Sequence, residues 1–359
     1  MDVHAGRLAK LRERFGELGI DALLVTQSEN RHYLSGFRGS AGALLITRDT
    51  ALLAVDSRYW EQAERQAPDY EVFRIKTRLH DHFGEMIEQV GGAPTRIGCE
   101  SAAVTVAMFA QWSEVGIAAE WVLTKDAVEA IRAVKDADEL VKIRRAVALT
   151  DAGFDYLCGI LRPGMAERKA AWELEAYLRT HGADALSFEI IVASGPNGAM
   201  AHHRAGDRVI QRGEPILIDF GIVVDAYCSD LTRTLSLGNG DATYAEVYQV
   251  VRRAQQAAID GIRAGMTGVE ADALARSSIG AAGYGDFFGH GLGHGVGLAV
   301  HEAPSAGRLA TDKLPAGATL TVEPGVYLPG WGGVRIEDLV VVHEHGVEVL
   351  SQAHKRSTI

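Results

Sequence analysis

The feature that most constrains the fold is a pattern that occurs twice in the chain, offset by a little over 100 residues. Each copy starts where one helical stretch closes and another opens, at Leu161–Met165 and at Ile262–Met266. About 50 residues later, each copy has an apolar strand-like run that holds an acid, Asp219 in the first and Glu323 in the second. Because apolar sheet faces must be covered, two such copies are expected to pack together and to bury a shared face.

The first copy carries two acids within strand-like sequence, in the segment Ile216–Thr234. Asp is depleted in strands, so both acids need a reason. A hairpin with the loop Val224-Asp225 would pair Asp219 with Asp230, and directly opposed side chains lie about 5 Å apart. Facing carboxylates repel each other unless one is protonated or a cation lies between them. The alternative is a surface hairpin with one exposed Asp on each edge.

The second copy repeats this arrangement. A hairpin with the loop Pro329–Trp331 would pair Glu323 with Glu337. Four acids that meet on a buried face without cations would be prohibitively unfavourable. The repeat therefore favours a dinuclear metal site.

A nitrogen ligand is available in the glycine-rich segment 289–302, where glycine permits unusual dihedral angles and close backbone approach. This segment holds three histidines within twelve residues: His290, His294 and His301. The first copy has His202-His203 about 100 residues before His301. One histidine from each half is therefore expected to flank the metals.

These motifs resemble those of the pita-bread metallopeptidases, the family that includes methionine aminopeptidase, Xaa-Pro aminopeptidase and Xaa-Pro dipeptidase (prolidase). The resemblance covers essentially the whole chain. It implies an α/β protein with a small α/β N-terminal domain and a C-terminal pita-bread domain, in which a pseudo-twofold repeat forms a curved antiparallel sheet covered by helices. The implied metal ligands are two Asp, one His and two Glu: Asp219, Asp230, His294, Glu323 and Glu337.

The resemblance also implies roles for residues around the metals. His202 and His301 correspond to contacts with substrate and transition state, and Glu323 corresponds to the proton carrier. His290 and Arg335 are implied to bind or line the substrate pocket. The family often has Pro before the first of these histidines, where this chain has Ala201, so the neighbouring His203 is an alternative to His202.

The N-terminal segments Gly36–Gly42 and Asp56–Tyr59 resemble the first domain of the two-domain Xaa-Pro peptidases, which bacterial methionine aminopeptidases lack. This implies domains at 1–127 and 128–359 and favours cleavage at Xaa-Pro bonds. Local patterns in the second domain predict a long helix that starts with a capping box at Asp136–Glu139. Further helices are predicted at about 167–181, 243–263 and 267–280.

Two proline-directed activities are compatible with these motifs. Prolidases commonly have an Arg shortly after the His-Glu pair, and the comparable position here is Ser305. We therefore predict an Xaa-Pro aminopeptidase that acts on peptides with proline second, through a hydroxide bridging two metal ions. Xaa-Pro dipeptidase is the alternative, because Arg308 could reach inward. A non-catalytic binding module and a creatinase-like amidinohydrolase are disfavoured, because all five ligands are present.

Four carboxylates and one imidazole suit Mn²⁺, Co²⁺ or Zn²⁺. The resemblance favours two Mn²⁺ ions per chain, and it also implies a homodimer.

The composition excludes other classes of function. The 359 residues are 47% hydrophobic and 23% charged, as in soluble two-domain enzymes. A net charge of −11 argues against binding to nucleic acid. No apolar run approaches the roughly 18 residues that span a membrane, and no apolar signal segment opens the chain, so a cytoplasmic location is predicted. Cys99, Cys158 and Cys228 have no metal or redox spacing and are expected to be buried thiols.

Overall fold

The computed structural model describes residues 3–91 and 94–359. The chain divides into two compact units, Met1–Arg132 and Ala133–Ile359. The domain bounds 1–127 and 128–359 remain the sequence-based prediction.

The first unit is built around a six-stranded sheet with the order β4-β3-β2-β1-β5-β6. Its strands are β1 (Ala22–Val25), β2 (Ala43–Thr47), β3 (Ala51–Val55), β4 (Glu71–Arg74), β5 (Arg96–Glu100) and β6 (Glu120–Thr124). Strand β2 is antiparallel to both of its neighbours, β1 and β3, and the other three neighbouring pairs are parallel. Its helices are α1 (Val3–Glu13), α2 (Phe15–Leu18), α3 (Ser28–Ser35), α4 (Trp60–Gln66), α5 (Phe83–Gln89), α6 (Val106–Glu114) and α7 (Glu129–Arg132).

The second unit begins with two helices and a group of strands that form its first half. The helices are α8 (Ala137–Ile160) and α9 (Glu167–Thr180). The strands are β7 (Ala185–Leu186), β8 (Ile191–Ser194), β9 (Ile216–Phe220), β10 (Ile222–Val224), β11 (Tyr227–Cys228) and β12 (Leu231–Leu235). The predicted capping box is confirmed, because the Asp136 and Glu139 side chains each accept the other residue's backbone N–H.

The second half repeats this order of elements. Its helices are α10 (Ala242–Gly261) and α11 (Gly268–Ala281). Its strands are β13 (Gly293–Gly295), β14 (Glu302–Ala306), β15 (Thr319–Val322), β16 (Gly325–Leu328), β17 (Gly332–Arg335), β18 (Asp338–His343) and β19 (Gly346–Val349). The predicted helices are thus confirmed to within two residues at each end.

Each half buries one face of its strands against its own helix pair. In the first half, Ile216, Ile218 and Phe220 of β9 share a core with Leu174 and other residues of α8 and α9. In the second half, Leu320 and Val322 of β15 pack in a core with α10 and α11. Because side chains alternate along a strand, the intervening positions project to the opposite face, where the acids lie.

The hairpin that carries Asp219 and Asp230 turns one residue later than predicted. Its two-residue loop is Asp225-Ala226, with φ angles of 50° and 72°. Two positive φ angles give a turn whose twist suits a hairpin. In this register Asp219 lies opposite Thr232, so the predicted direct pairing with Asp230 is wrong. Asp230 lies on the same face but diagonally across the hairpin, two positions from Thr232.

The second hairpin has the predicted register. Its loop is Pro329–Trp331, and β15 pairs with β18 in the same register in which β16 pairs with β17. This continuous register places Glu323 opposite Glu337, as the sequence predicts. Within the described residues, no helix is long and apolar enough to cross a membrane.

Candidate metal centre and active site

The predicted site residues meet in one cavity of about 370 Å³. Its lining includes all five predicted metal ligands, and it also includes the four other predicted site residues: His202, His290, His301 and Arg335. Of the two adjacent histidines in the first half, His202 lines the cavity, whereas the His203 imidazole binds the Glu167 carboxylate at 2.9 Å. The structure therefore brings these nine residues together in one cavity, and their metal-binding and catalytic roles stay predictions.

Three of the predicted ligands form a close group. Asp230, His294 and Glu337 each offer a donor atom, and these atoms lie within 4.8 Å of one another. His294 Nε2 also lies 3.3 Å from Glu323 Oε1 and 3.7 Å from Asp230 Oδ2. Carboxylate oxygens and one imidazole nitrogen at this separation are a donor set for a divalent transition metal.

Steric contacts explain why glycine flanks His294 on both sides. A Cβ atom on Gly293 would overlap the carbonyl oxygen of Thr321, and one on Gly295 would overlap the carbonyl oxygen of Ala303. Only glycine lets β13 approach its neighbours this closely. The close approach brings His294 beside Glu323, the residue that directly follows β15.

Arg335 binds directly to one of the acids of the site. Its Nη2 donates to Asp219 Oδ2, its Nε donates to Thr232 Oγ1 at 3.0 Å, and its Nη1 donates to Tyr327 Oη at 2.7 Å. Thr232 Oγ1 in turn donates to Glu337 Oε2 at 2.7 Å. A single guanidinium thus fixes two of the acids, one directly and one through a hydroxyl group.

Two carboxylate oxygens lack partners. Asp219 Oδ1 and Glu337 Oε1 are buried and have no hydrogen-bond partner among the described residues. A buried polar atom without a partner costs about 1–3 kcal/mol, and more when it is charged. Because these orphaned oxygens belong to the predicted ligands, the residues fit a bound metal ion.

The acids perturb one another's ionisation. Burial raises the pKa of Asp230 well above its usual value, and repulsion from Glu337 adds to the effect. Burial likewise raises the pKa of Glu337, with repulsion from Glu323 adding to it. A divalent cation would relieve this repulsion, because it is a larger local charge than any of the side chains.

Glu323 behaves differently from the other acids because of its histidine neighbour. Burial opposes its ionisation, but the hydrogen bond from His294, together with the nearby positive charges of His294 and Arg335, outweighs burial and lowers the pKa of Glu323 to about 2. The same interaction raises the pKa of His294 to about 9, against the effect of its own burial. Glu323 is therefore ionised at neutral pH.

Tyr327 is a residue of the site that the sequence analysis missed. Its hydroxyl accepts from Arg335 Nη1 and lies 2.8 Å from His290 Nε2. His290 Nδ1 donates to the Gly291 carbonyl oxygen at 2.7 Å, and burial lowers the pKa of His290. The imidazole is thus neutral, and its Nε2 accepts the proton of the Tyr327 hydroxyl. Tyr327 could have been predicted as a site residue from its position. It lies four residues after Glu323, and an even spacing along a strand puts both side chains on the same face.

His301 stands beside the metal-ligand group. Its ring centroid lies 4.2 Å from that of His294, edge to face. Partial burial lowers the pKa of His301, and the positive charge of His294 adds to this effect. A neutral imidazole of this kind can donate one hydrogen bond to an oxygen atom in the cavity.

The architecture and the site together define a metallopeptidase. The chain belongs to metallopeptidase family M24, whose model matches residues 141–344. Residues 7–134 match the creatinase/prolidase N-terminal domain. The predicted fold, a small N-terminal α/β domain followed by a pita-bread domain, is thereby confirmed.

Known proteins resemble the chain over its whole length. A Xaa-Pro dipeptidase of Pyrococcus horikoshii is 32% identical over 356 residues, covering 99% of this chain and 99% of that protein. The structure of a Xaa-Pro dipeptidase from Bacillus anthracis has a TM-score of 0.95 and 38% identity, covering 99% of this chain and 100% of that chain. The structure of an X-Pro aminopeptidase from Thermotoga maritima has a TM-score of 0.87 and 37% identity, covering 97% of this chain and 99% of that chain.

Proposed function

We propose that this protein is a metal-dependent Xaa-Pro dipeptidase. The observation that carries the proposal is the convergence of four carboxylates and one imidazole in a single cavity, where two buried carboxylate oxygens have no hydrogen-bond partner among the residues that the structure describes. The relatives from Pyrococcus horikoshii and Bacillus anthracis, both named Xaa-Pro dipeptidases, support the dipeptide as substrate. Of the two activities considered from the sequence, the aminopeptidase is therefore the less well supported.

The metal would be held by the five ligand side chains already described. When bound, a divalent ion lowers the pKa of water and polarises a carbonyl group, which is the chemistry that peptide hydrolysis at neutral pH needs. We propose two Mn²⁺ ions on the basis of the family resemblance, with Co²⁺ or Zn²⁺ as alternatives.

The protein supplies the proton transfers and the charge stabilisation. Ionised Glu323 can accept a proton and return it to the departing proline nitrogen, as general acid–base catalysis requires. His202 and His301 line the same cavity and can donate hydrogen bonds to the oxygen atom that gains charge. One such donor typically contributes about 3–4 kcal/mol to the transition state.

Arg308 is the candidate partner for the carboxylate of a dipeptide. It lines a second cavity of about 500 Å³ that shares His290, Gly291 and Ser305 with the metal-centre cavity. Its Nη2 donates to the Phe288 carbonyl oxygen at 3.4 Å, and this contact orients the guanidinium beside the second cavity. Arg is suited to a terminal carboxylate because its planar fork can bind both oxygens.

The test compares kcat/KM for Ala-Pro and Ala-Pro-Ala with the same metal. We expect Ala-Pro to be the better substrate. Arg308→Ala should lower kcat/KM for Ala-Pro by roughly 10- to 100-fold, because a hydrogen bond to a charged group contributes about 1.5–3 kcal/mol. Cleavage of Ala-Pro-Ala should be unchanged. Arg253→Ala, at an exposed position on α10, is the matched control and should affect neither substrate.

The second candidate is an Xaa-Pro aminopeptidase. It is favoured by Ser305, which lines both cavities without offering a positive charge, and by the similar protein from Thermotoga maritima, which is named an X-Pro aminopeptidase. Higher kcat/KM for the tripeptide, with no selective effect of Arg308→Ala, would favour this candidate. The homodimer stays a prediction, which light scattering would test.

A further inference from the structure

Glu167 is a buried carboxylate outside the metal-centre cavity. It is the first residue of α9 and its side chain is 0% exposed. Oε1 accepts from Ser194 N and Ser194 Oγ, both at 2.7 Å. Oε2 accepts from His203 Nε2 at 2.9 Å and from Gly206 N at 3.3 Å, and both oxygens bind Asn197 Nδ2. All of these donors belong to the segment 194–206.

This segment carries His202. The His202 side chain is exposed, and none of the described residues makes a hydrogen bond with its imidazole. Its position in the cavity is therefore set by its backbone, which is tied to Glu167 through the next residue, His203. Loss of the hydrogen bonds to Glu167 would allow the His202 imidazole to move without affecting any metal ligand.

The charge state of Glu167 suits this task. Burial raises the pKa of Glu167, but the hydrogen bonds from Ser194, His203 and Asn197 outweigh burial and the net shift is downward. The carboxylate is ionised at neutral pH and acts only as an acceptor, so His203 Nε2 must carry a proton. Hydrogen bonds to an ionised acceptor are roughly twice as strong as neutral ones.

The second half of the domain holds another cavity histidine in a similar way. Asp272 of α11 accepts from Leu292 N at 3.0 Å and pairs with Arg276. Arg276 donates to the carbonyl oxygens of Phe288 at 2.8 Å and His290 at 2.7 Å. In each half, a buried acid in the second helix thus holds a segment that carries a histidine. The acid is Glu167 of α9 in the first half and Asp272 of α11 in the second.

We propose that Glu167 is a positioning residue that places His202 for catalysis by clamping the segment 194–206. The inference rests on the proposed function, because it assumes that His202 contacts the substrate. Glu167 itself touches neither the cavity nor the metal ligands.

The first test is Glu167→Gln. In this variant an NH₂ group replaces one of the two carboxylate oxygens and cannot accept the hydrogen bonds that this oxygen accepted. The segment 194–206 should therefore be held less tightly, while the five metal ligands stay intact. We expect kcat for Ala-Pro to fall roughly 10- to 100-fold, the size of effect that a misplaced catalytic group produces, with unchanged Mn²⁺ content. Glu175→Gln, on the same helix but paired with Arg179 at the surface, is the matched control and should leave kcat unchanged.

A double-mutant cycle separates positioning from general destabilisation. If Glu167 acts through His202, the double variant should have a kcat less than about 3-fold below that of His202→Ala alone. The effects of two substitutions do not add when one residue acts through the other. A full, additive loss in the His202→Ala background would overturn the proposal. So would an unchanged kcat in the single variant. His203→Ala removes one contact only and should give a smaller loss, which covers the case that Glu167→Gln does not fold.

Hydrogen exchange measured by mass spectrometry gives a readout that does not depend on activity. Glu167→Gln should speed exchange in peptides from 194–206 and leave peptides from 216–235 unchanged. Equal protection of 194–206 in both proteins would overturn the clamp. If wild-type protein cleaved no Xaa-Pro peptide, the proposed function would fail, while this measurement would still decide whether the clamp exists.

Discussion

The Nε2 atom of His294 lies 3.3 Å from Oε1 of Glu323. In the metal-free protein, a proton on this nitrogen makes the imidazole the counter-ion of that carboxylate. The hydrogen bond to Glu323 and its negative charge raise the pKa of His294 to about 9. A metal ion needs the same nitrogen with its lone pair available. Proton and metal therefore compete for one atom, and this competition makes metal binding depend on pH.

Metal binding should release protons near neutral pH. The pKa of His294 is raised to about 9, so its imidazole holds a proton near neutral pH that a metal ion must displace. The raised pKa values of Asp230 and Glu337 act in the same direction. Glu323, with a pKa of about 2, contributes none. Titration calorimetry with Mn²⁺ in buffers of different ionisation enthalpy should show proton release, and affinity should rise with pH up to about 9. Buffer-independent heats would contradict this prediction.

The stability of the metal-free protein should fall as pH rises. Asp230 and Glu337 have higher pKa values in the folded than in the unfolded chain, so the folded state holds more protons above the ordinary values of 3.8 and 4.5. Their contribution to stability is complete below those values and is lost as pH rises through the folded pKa. His294 acts in the same direction between 6.5 and about 9. The gain in Tm on adding Mn²⁺ should therefore grow with pH, and a constant gain would contradict the prediction.

Asp230→Asn should separate activity from stability. The substitution removes one ligand and one of the repelling carboxylates, so activity with saturating Mn²⁺ should fall at least about 100-fold, while the metal-free protein should gain stability at neutral pH because a buried, repelled acid is replaced by a neutral amide. Denaturant unfolding of metal-free samples measures the gain. Glu337→Gln should behave similarly, and near-normal turnover in either variant would remove that residue from the ligand set.

Tyr327→Phe tests the contact between Arg335 and His290. Without the hydroxyl, His290 Nε2 and Arg335 Nη1 each lose a buried partner. We expect a loss of about 1–3 kcal/mol in the free energy of unfolding and a lower kcat with metal content unchanged. Tyr284→Phe, whose hydroxyl binds exposed Glu246, is the matched control and should change neither quantity.

Much of the site could be predicted from the sequence because its acids break local rules. Asp219 and Asp230 stand where strands disfavour them, and the repeat supplies Glu323 and Glu337 at corresponding positions. The register of the second hairpin followed from its loop. The register of the first hairpin could not be predicted in this way. Its turn places Ala226 at a positive φ, and alanine is not a residue whose presence predicts that conformation.

Other features depend on tertiary contacts that no local pattern encodes. Glu167 looks like an ordinary acid in the first turn of a helix, where the helix dipole favours it. Its burial and its ties to the segment of His203 arise only when α9 packs against β8. The choice between dipeptidase and aminopeptidase likewise depends on the direction of the Arg308 side chain.

The most direct test of the central claim is release of proline from Ala-Pro by protein stripped of metal and then reloaded with Mn²⁺, Co²⁺ or Zn²⁺. We predict no turnover by the stripped protein, recovery on reloading, and no recovery in Asp230→Asn. Equal turnover by stripped and reloaded protein, or a folded, metal-loaded protein that leaves Ala-Pro intact, would contradict the claim.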